Sequence, residues 1–458
     1  MALAVESWIA ASGMPYALPN TKDFEDWHSS YIGNDTARPL VIARPRNGDD
    51  VSGIVKSCVQ NSVDIVVRGG GHDLHGRFTA ANAVSIDLRD LNTVIPSDGG
   101  KTVRIGGGST ARHILEELKL HNLQIPTGGC ANVGINGWSL IGGYGPLTSS
   151  YGLGVDQIVG AKIVNAQGDI IDATEEMLTG MRGGGGNFGI VVELTSKAYP
   201  FHNLHAGQVA FQTSNLTQTL TKFFDGYYSW EQQFGPLPDE FWVQPLVWQP
   251  PGQNASLIAN FVWNGEPSDE SALWLNRTAS LGTPVADPFI TVKRESLLDY
   301  LIAFLLMLPA VGLGSTQTAS LSSISGQGVA SIVEMAAKLP ADVTGGLGIH
   351  LLRQENPSFR HDIPSSVFPN REPHVMLEIM GMGIDATSAQ HGTEWAIATR
   401  DQFLALPEHL DKTYPAMTDP SVSDPKKMYG DKYDQLMSLK KQFDPTNVFK
   451  HAVPKLGL

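Results

Sequence analysis

Cysteine is almost missing from this chain, which has two, Cys58 and Cys130, in 458 residues. Two thiols cannot form the disulfide framework that holds small secreted folds together, so burial of apolar side chains must do that work. No run of lysine or arginine is long enough to follow a phosphate backbone. With 32 basic against 46 acidic residues the formal charge is −14, so neither a nucleic acid nor an anionic membrane surface is an expected partner. Long apolar runs are lacking too. The longest, Tyr300 to Gly312, contains Pro309 and falls short of the roughly 20 residues of a membrane-spanning helix, so it reads as a core helix. The N-terminal stretch MALAVESWIAASGMPYALPN has no basic segment ahead of a long apolar one and does not read as a secretion signal. The expectation is a cytoplasmic monomer without a metal site, with secretion as the alternative if a leader has been removed. Four Asn-x-Ser/Thr sequons, at Asn34, Asn215, Asn254 and Asn276, point toward secretion, but a chain rich in Ser and Thr supplies a few by chance.

Glycine is what the chain has in quantity: 48 residues, concentrated before residue 200, where tight turns or close approaches of backbone to a ligand are therefore expected. The length exceeds that at which a single hydrophobic core stops growing, so two structural units are expected. RPLVIARP (38–45), DIVVR ahead of three glycines, AVSIDLRDL (83–91) and TVRIG read as strands. VSGIVKSCVQ, with Val51, Ile54, Val55 and Cys58 at helical spacing, reads as a helix between the first two. AKIVNA, GDIIDA and GIVVELTSKAYP close this first region near Pro200. Beyond residue 203 aromatics become frequent, and the alternation in SLIANFVW (256–263) and HVMLEIMGMG (374–383) predicts strands of a second sheet with helices between them. The tail YGDKYDQLMSLKKQFDPTNVF reads as a helix stopped at Asp444-Pro445 that returns to the first region. The expected class is α+β: a first region, 1–203, completed by a return over 415–458, and a second, 204–414, whose antiparallel sheet is covered by helices and roofs a pocket. The frequent aromatics of 223–263 suggest an aromatic lining for that pocket.

Three glycine-rich segments carry the chemistry. Val67-Arg68-Gly69-Gly70-Gly71-His72 follows a strand, and consecutive glycines there expose backbone N–H groups suited to a pyrophosphate. No Gly-Lys-Ser/Thr follows, so it is not a Walker A loop, and a dinucleotide Gly-x-Gly-x-x-Gly spacing is absent as well. A nucleophilic histidine directly after the loop raises its interest. Pro126-Thr127-Gly128-Gly129-Cys130 leads through Val133, Gly134 and Gly137 to Gly142-Gly143-Tyr144-Gly145. That context sets a thiol on open backbone, although an isolated cysteine is more often a small buried hydrophobe. Arg182-Gly183-Gly184-Gly185-Gly186-Asn187-Phe188-Gly189-Ile190 places four glycines ahead of a strand, which suits a backbone laid against a flat ring or a phosphate.

In this order, VRGGGH, TGGC-x-x-VG, GGYGPLTSSYGLGVDQIVGAKIVNAQG and RGGGGNFG resemble the berberine bridge enzyme-like branch of the vanillyl-alcohol oxidase flavoprotein superfamily. The C-terminal YG-x-x-Y…DP-x-N-x-F resembles that branch's closing signature. The resemblance covers about 38–200 and 428–449. It implies a two-part FAD-binding domain of the p-cresol methylhydroxylase type, with FAD bonded covalently to His72 through a ring nitrogen and to Cys130 through sulfur. Arg68, Gly69, Gly70 and Gly71 match the pyrophosphate loop, with Asp73 beside it. Gly129, Val133, Gly134, Gly137, Gly142, Gly143 and Ile190 match positions along the flavin, and Tyr429 and Asn447 match positions near its ring or ribityl chain. Val133 matches a position over the oxygen-reactive face, where a small side chain favours oxygen as acceptor. Lys432 stands where the branch usually has asparagine, Met428 where an aromatic is common, and EEMLTGM replaces the usual Asp-Leu-Phe-Trp context. The secreted members' partner for Cys58 corresponds to Trp8, so no disulfide is expected there.

The implied reaction removes hydride from a small organic metabolite and returns electrons to O2, a natural-product tailoring oxidation or oxidative cyclisation. It needs a proton acceptor. Glu378, mid-strand among apolar residues, is the preferred candidate. His374 on the same strand face, Tyr144 in the flavin-adjacent loop and Tyr429 are the others. Two alternatives stand: a non-redox cyclase or isomerase that retains flavin, and an oligosaccharide oxidase whose aromatics stack sugar rings.

Overall fold

The structure is a computed structural model and describes residues 2–31, 37–285, 291–305, 313–360 and 362–458. Asn34, Pro309 and the 306–312 end of the apolar stretch lie outside them. The N-terminal part holds two sheets. In the first, strands Val41–Ala43, Ala83–Asp87 and Asp64–Arg68 run parallel, and Tyr16–Ala17 adds an antiparallel edge. The helix Gly48–Gln60 starts at Asn47, whose side chain accepts from the Asp50 N–H at 2.9 Å. It buries Val51, Ile54, Val55 and Cys58 on one face, as its spacing predicts. Cys58 is a free thiol packed in this core, where burial pushes it up to about 12. The second sheet has five antiparallel strands in the order Val94–Ser97, Thr102–Gly106, Ile190–Lys197, Ile158–Val164, Ile170–Asp172.

The second half of the chain builds one eight-stranded antiparallel sheet. Its order is Lys293–Glu295, Leu204–Phe211, Ser256–Trp263, Phe241–Gln249, Thr344–Leu352, His374–Gly383, Leu313–Leu321, His409–Leu410. The two-residue side-chain period sorts its faces. On the Phe241–Gln249 strand, Phe241, Val243 and Val247 point into a core shared with helices Leu216–Phe234, Asp269–Ser280, Gly326–Ala337 and Ala386–Leu404. Trp242, Gln244 and Trp248 face a cavity on the other side. This corrects the expectation for the aromatic cluster. Phe223, Phe224, Tyr227, Trp230, Phe241, Phe261 and Trp263 fill the helix-covered core, and of the aromatics of 223–263 only Trp242 and Trp248 reach the cavity. Abundance of aromatics reported burial, while position in the alternation decided the face.

The tail returns to the N-terminal part. Helix Tyr433–Phe443 packs against helix Glu175–Gly184. Lys440 Nζ pairs with Asp444 at 2.7 Å, both side chains wholly buried, and also donates to the Asn187 carbonyl at 3.1 Å. The Asp444 carboxylate in turn accepts from the Val448 and Phe449 N–H groups at 2.8 and 2.9 Å. Lys450 and His451 then reach Asp64 on the first sheet at 2.7 and 3.0 Å. None of the described helices is long and apolar enough to cross a membrane.

Candidate functional site

A cavity of about 370 Å³ lies between the glycine loops of the N-terminal part and the open face of the large sheet. Strand Asp64–Arg68 delivers Gly69, Gly70, Gly71 and His72 to its wall. The loop ahead of helix Ile135–Leu140 brings Cys130 to the same cavity, and Cys130 Sγ lies 3.5 Å from His72 Nε2. Glycine makes this approach possible: a Cβ on Gly70 would meet the Gly134 nitrogen at 2.6 Å, and one on Gly134 would meet the Gly70 nitrogen at 2.5 Å. The two loops touch backbone to backbone, and their reactive side chains converge. The Tyr31 ring stacks on His72 with centroids 4.1 Å apart and planes 16° from parallel. Burial lowers His72 to about 4, so at neutral pH the imidazole is uncharged and keeps a nucleophilic lone pair. Burial raises Cys130 above the ordinary thiol range.

The sequence-expected ligand positions divide. Gly69, Gly70, Gly71, His72, Asp73, Gly129, Cys130, Val133, Gly134, Gly137 and Ile190 all line the cavity. At Gly129 and Gly137 an added Cβ would meet nothing within 4 Å, so packing does not explain glycine there, and the open space beside the backbone does. Asn136, also in the wall, donates to the Val191 carbonyl at 3.1 Å while its Oδ1 is buried without a partner. An orphaned acceptor in a glycine-walled cleft fits a group with hydrogen-bond donors and a flat face, as FAD has. Asp73 acts on the wall indirectly. Its carboxylate grips Arg77 at 2.7 Å, and Arg77 donates to the carbonyls of Pro415 and Ala416 at 3.2 and 2.5 Å.

Six residues expected at the site lie off the cavity wall. The guanidinium of Arg68 turns away from the cavity, donating to the Trp27 carbonyl and, at 2.6 Å, to that of Ser29, with Phe78 stacked below it. It shapes the loop rather than lining the site. Gly142 and Gly143 are absent from the wall, since their positive φ and close packing on Phe368, Tyr414 and Gly154 make them turn residues. Tyr429 is wholly buried in the core, its hydroxyl donating to the Gly183 carbonyl at 2.6 Å, so it cannot serve as a base in this cavity. Asn447 lies in the turn after the return helix at a left-handed φ of 54°, off the cavity wall, and its Oδ1 is buried without a partner. His374 also lies behind the wall. Its Nδ1–H donates to the Glu372 carbonyl at 2.6 Å, so Nε2 accepts the Tyr144 hydroxyl at 2.7 Å. Burial lowers His374 to about 4 and raises Tyr144 well above its ordinary value. The pair is neutral.

Glu378 and Tyr144 do reach the cavity. Glu378 is half-buried on the floor formed by the large sheet, with Met376, Met380 and Met382 at its neighbouring cavity-facing positions, and its Oε2 lies 3.5 Å from His350 Nε2. Sequence reasoning missed His350, Gln244 and Tyr31. The first two sit at cavity-facing positions of strands that are otherwise apolar, and strict tracking of the alternation would have singled them out. Tyr31 lies outside any regular element, just after helix Lys22–His28, and gave no signal.

A glycine-walled cleft with a convergent His and Cys, roofed by a large antiparallel sheet, defines a flavoprotein with a two-part FAD-binding fold of the p-cresol methylhydroxylase type. Residues 39–174 match the family model for an FAD binding domain and residues 412–454 that for berberine and berberine-like proteins. The chain is 31% identical over 435 residues to the FAD-linked oxidoreductase aurO of Gibberella zeae, covering 93% of this chain and 82% of that one. It is therefore a berberine bridge enzyme-like FAD-linked oxidoreductase. The (R)-6-hydroxynicotine oxidase of Paenarthrobacter nicotinovorans is 34% identical over 214 residues, 45% of this chain and 47% of that one. Among solved structures, 6-hydroxy-D-nicotine oxidase from Arthrobacter nicotinovorans superimposes with a TM-score of 0.84 at 23% identity, covering 96% and 97% of the two chains. Glucooligosaccharide oxidase from Acremonium strictum, described with a 6-S-cysteinyl, 8α-N1-histidyl FAD, gives 0.84 at 17% identity and 97% coverage of each.

Proposed function

We propose that this enzyme is an oxidase that holds FAD covalently at both His72 and Cys130 and oxidises a small, largely apolar metabolite at the expense of O2. The observation that carries the reading is the convergence of His72 Nε2 and Cys130 Sγ at 3.5 Å in one glycine-walled cleft. Residues 1–203 with 415–458 would hold the cofactor, and 204–414 would provide the substrate wall of a monomer. When bound, FAD supplies a two-electron acceptor whose electrons pass on to O2 and give H2O2. The protein's own part is positional and protonic. Glu378 takes the proton from a substrate O–H or N–H as the neighbouring C–H bond gives up its hydride. Tyr144, whose own proton is held by His374, presents its oxygen as an acceptor that orients that group. Val133 leaves room for O2 at the cavity wall.

Trp242, Trp248, Met376, Met380 and Met382 form the wall around Glu378. Thioether and indole surfaces suit an aromatic or terpenoid skeleton, as in natural-product tailoring, better than a sugar with a hydroxyl on every carbon. The test is anaerobic photometry with two panels, aromatic or terpenoid alcohols and phenols against oligosaccharides. The proposal expects bleaching of the flavin by a member of the first panel, followed by one peroxide per flavin on admitting air. Reduction by the oligosaccharides alone, or turnover with the flavin oxidised throughout, contradicts it.

A further inference from the structure

The cavity face of the large sheet carries a line of polar side chains that ends at Glu378 and whose other members neither flavin binding nor hydride transfer explains. Gln208, Asn260, Gln244, His350 and Glu378 lie on five adjacent strands. Gln208 and Gln244 stand directly opposite Asn260 on its two neighbouring strands. Gln208 Nε2 donates to Asn260 Oδ1 at 2.8 Å, and Asn260 Nδ2 donates to Gln244 Oε1 at 3.1 Å. Gln244 Nε2 then lies 2.8 Å from His350 Nε2. Asn260 is fully buried, and Gln244 and His350 are nearly so. Gly348 keeps the end of the line open: a Cβ there would lie 3.4 Å from both Gln244 Nε2 and Glu378 Oε2.

The amide orientations in the structure set the direction of the chain. The Gln244 carbonyl is occupied by Asn260, so Gln244 can offer His350 only an N–H. Nε2 of His350 must therefore accept, which places the ring proton on Nδ1. An Nε2 that accepts from Gln244 has no hydrogen to give Glu378 3.5 Å away. The carboxylate oxygen facing the ring stays free of a histidine donor and open to a proton from substrate. Reversing the amides would turn the Gln244 carbonyl toward Nε2, which would then carry the ring proton and donate it to that carbonyl.

We propose that Gln208, Asn260 and Gln244 form an amide ladder whose direction fixes the tautomer of His350, the ring beside the proton acceptor Glu378, with Gln244 and Asn260 as positioning residues. The role assigned to Glu378 rests on the proposed function; the tautomer does not. Near-isosteric variants reverse the ladder with little change of shape. In Asn260→Asp the carboxylate can only accept, so Gln244 must turn its N–H toward residue 260 and its carbonyl toward His350. Gln244→Glu does the same one rung nearer.

The experiment is ¹⁵N NMR of the flavin-loaded protein carrying ring-labelled histidine at neutral pH, with His350 assigned among the 13 histidines by its loss in His350→Gln. The wild type is expected to show Nε2 as an unprotonated, imine-type nitrogen. In Asn260→Asp, whose substituted side chain bonds to neither His350 nor Glu378 in the ladder, the signal moves to the protonated, pyrrole-type range. Where Asn260→Asp lacks native near-ultraviolet dichroism, Gln244→Glu is read in its place with the same expected shift. A wild-type Nε2 that already carries the proton, or a folded reversing variant that leaves the resonance unmoved, overturns the ladder. Failure of the base assignment shows separately, as a Glu378→Gln variant that turns over at the wild-type rate while the tautomer result stands.

Discussion

Burial decides the protonation of the side chains around the cavity, and each shift has a consequence that can be measured. Glu378 is the cavity-floor carboxylate closest to His350, and its replacement by glutamine preserves shape while removing the proton acceptor. The Glu378→Gln variant is expected to lose about 10² to 10⁴ in the rate of flavin reduction with the flavin spectrum and content unchanged. Stopped-flow reduction at saturating substrate measures this. His374, buried and neutral, has its acid constant held at about 4, below that of an exposed histidine near 6.5. A depressed value means the unfolded chain binds the proton more readily. Its contribution to stability is therefore full above about pH 6.5 and falls away as the pH drops toward 4, by up to roughly 1.4 kcal/mol per unit. His374→Gln should give a flatter dependence of the denaturation midpoint between those limits. An unchanged slope would show that His374 titrates normally. Residue placement was legible in sequence where it stood in a glycine context, as at His72 and Cys130, which meet at the cavity. It was not legible for Tyr429, whose match to a closing signature said nothing about where its hydroxyl would point.

At the scale of elements, alternation was the reliable guide and composition was not. HVMLEIMGMG reads as a strand and forms one over His374–Gly383, with Glu378 on the cavity face. The aromatic run of 223–263 spans a helix and two strands, so its members fall on different faces and mostly enter the core. The glycine blocks were legible as unusual, but their separate duties were not. Gly129 and Gly137 border open space, whereas Gly142 and Gly143 serve turns, and only the path of the chain distinguishes them. Gly70 and Gly134 have a third duty, the backbone contact that brings His72 to Cys130. Gly134→Val should force these loops apart and abolish one or both flavin bonds while the thermal transition of the remainder is retained. Intact mass beside a melting curve measures both. The return helix makes a second case. Asp444→Ala strands the Lys440 ammonium, whose side chain is fully buried, and orphans two backbone donors. A loss of roughly 3–5 kcal/mol in a denaturant titration is expected.

For the whole molecule, the site arises because one sheet has two different faces and a distant loop system covers the second. The helix-covered face forms the larger core, and the other closes a cavity against the glycine loops of the N-terminal part of the chain. The α+β class and the end of the tail helix could be read from the sequence, because they follow from local periodicity and a terminating Asp-Pro, whereas the return itself is a tertiary contact. The polar line from Gln208 to Glu378 could not, because its members are spread over 171 positions and meet only through strand order. The central claim joins both halves of this description: a flavin bonded at two points in that cavity. It is tested most directly by the mass of the acid-denatured protein. The account predicts a gain of one FAD in the wild type, kept in His72→Ala and in Cys130→Ala and lost only in the double variant. Loss of the added mass in either single variant would contradict attachment at two points, and a wild-type mass equal to that of the bare chain would contradict the tether altogether.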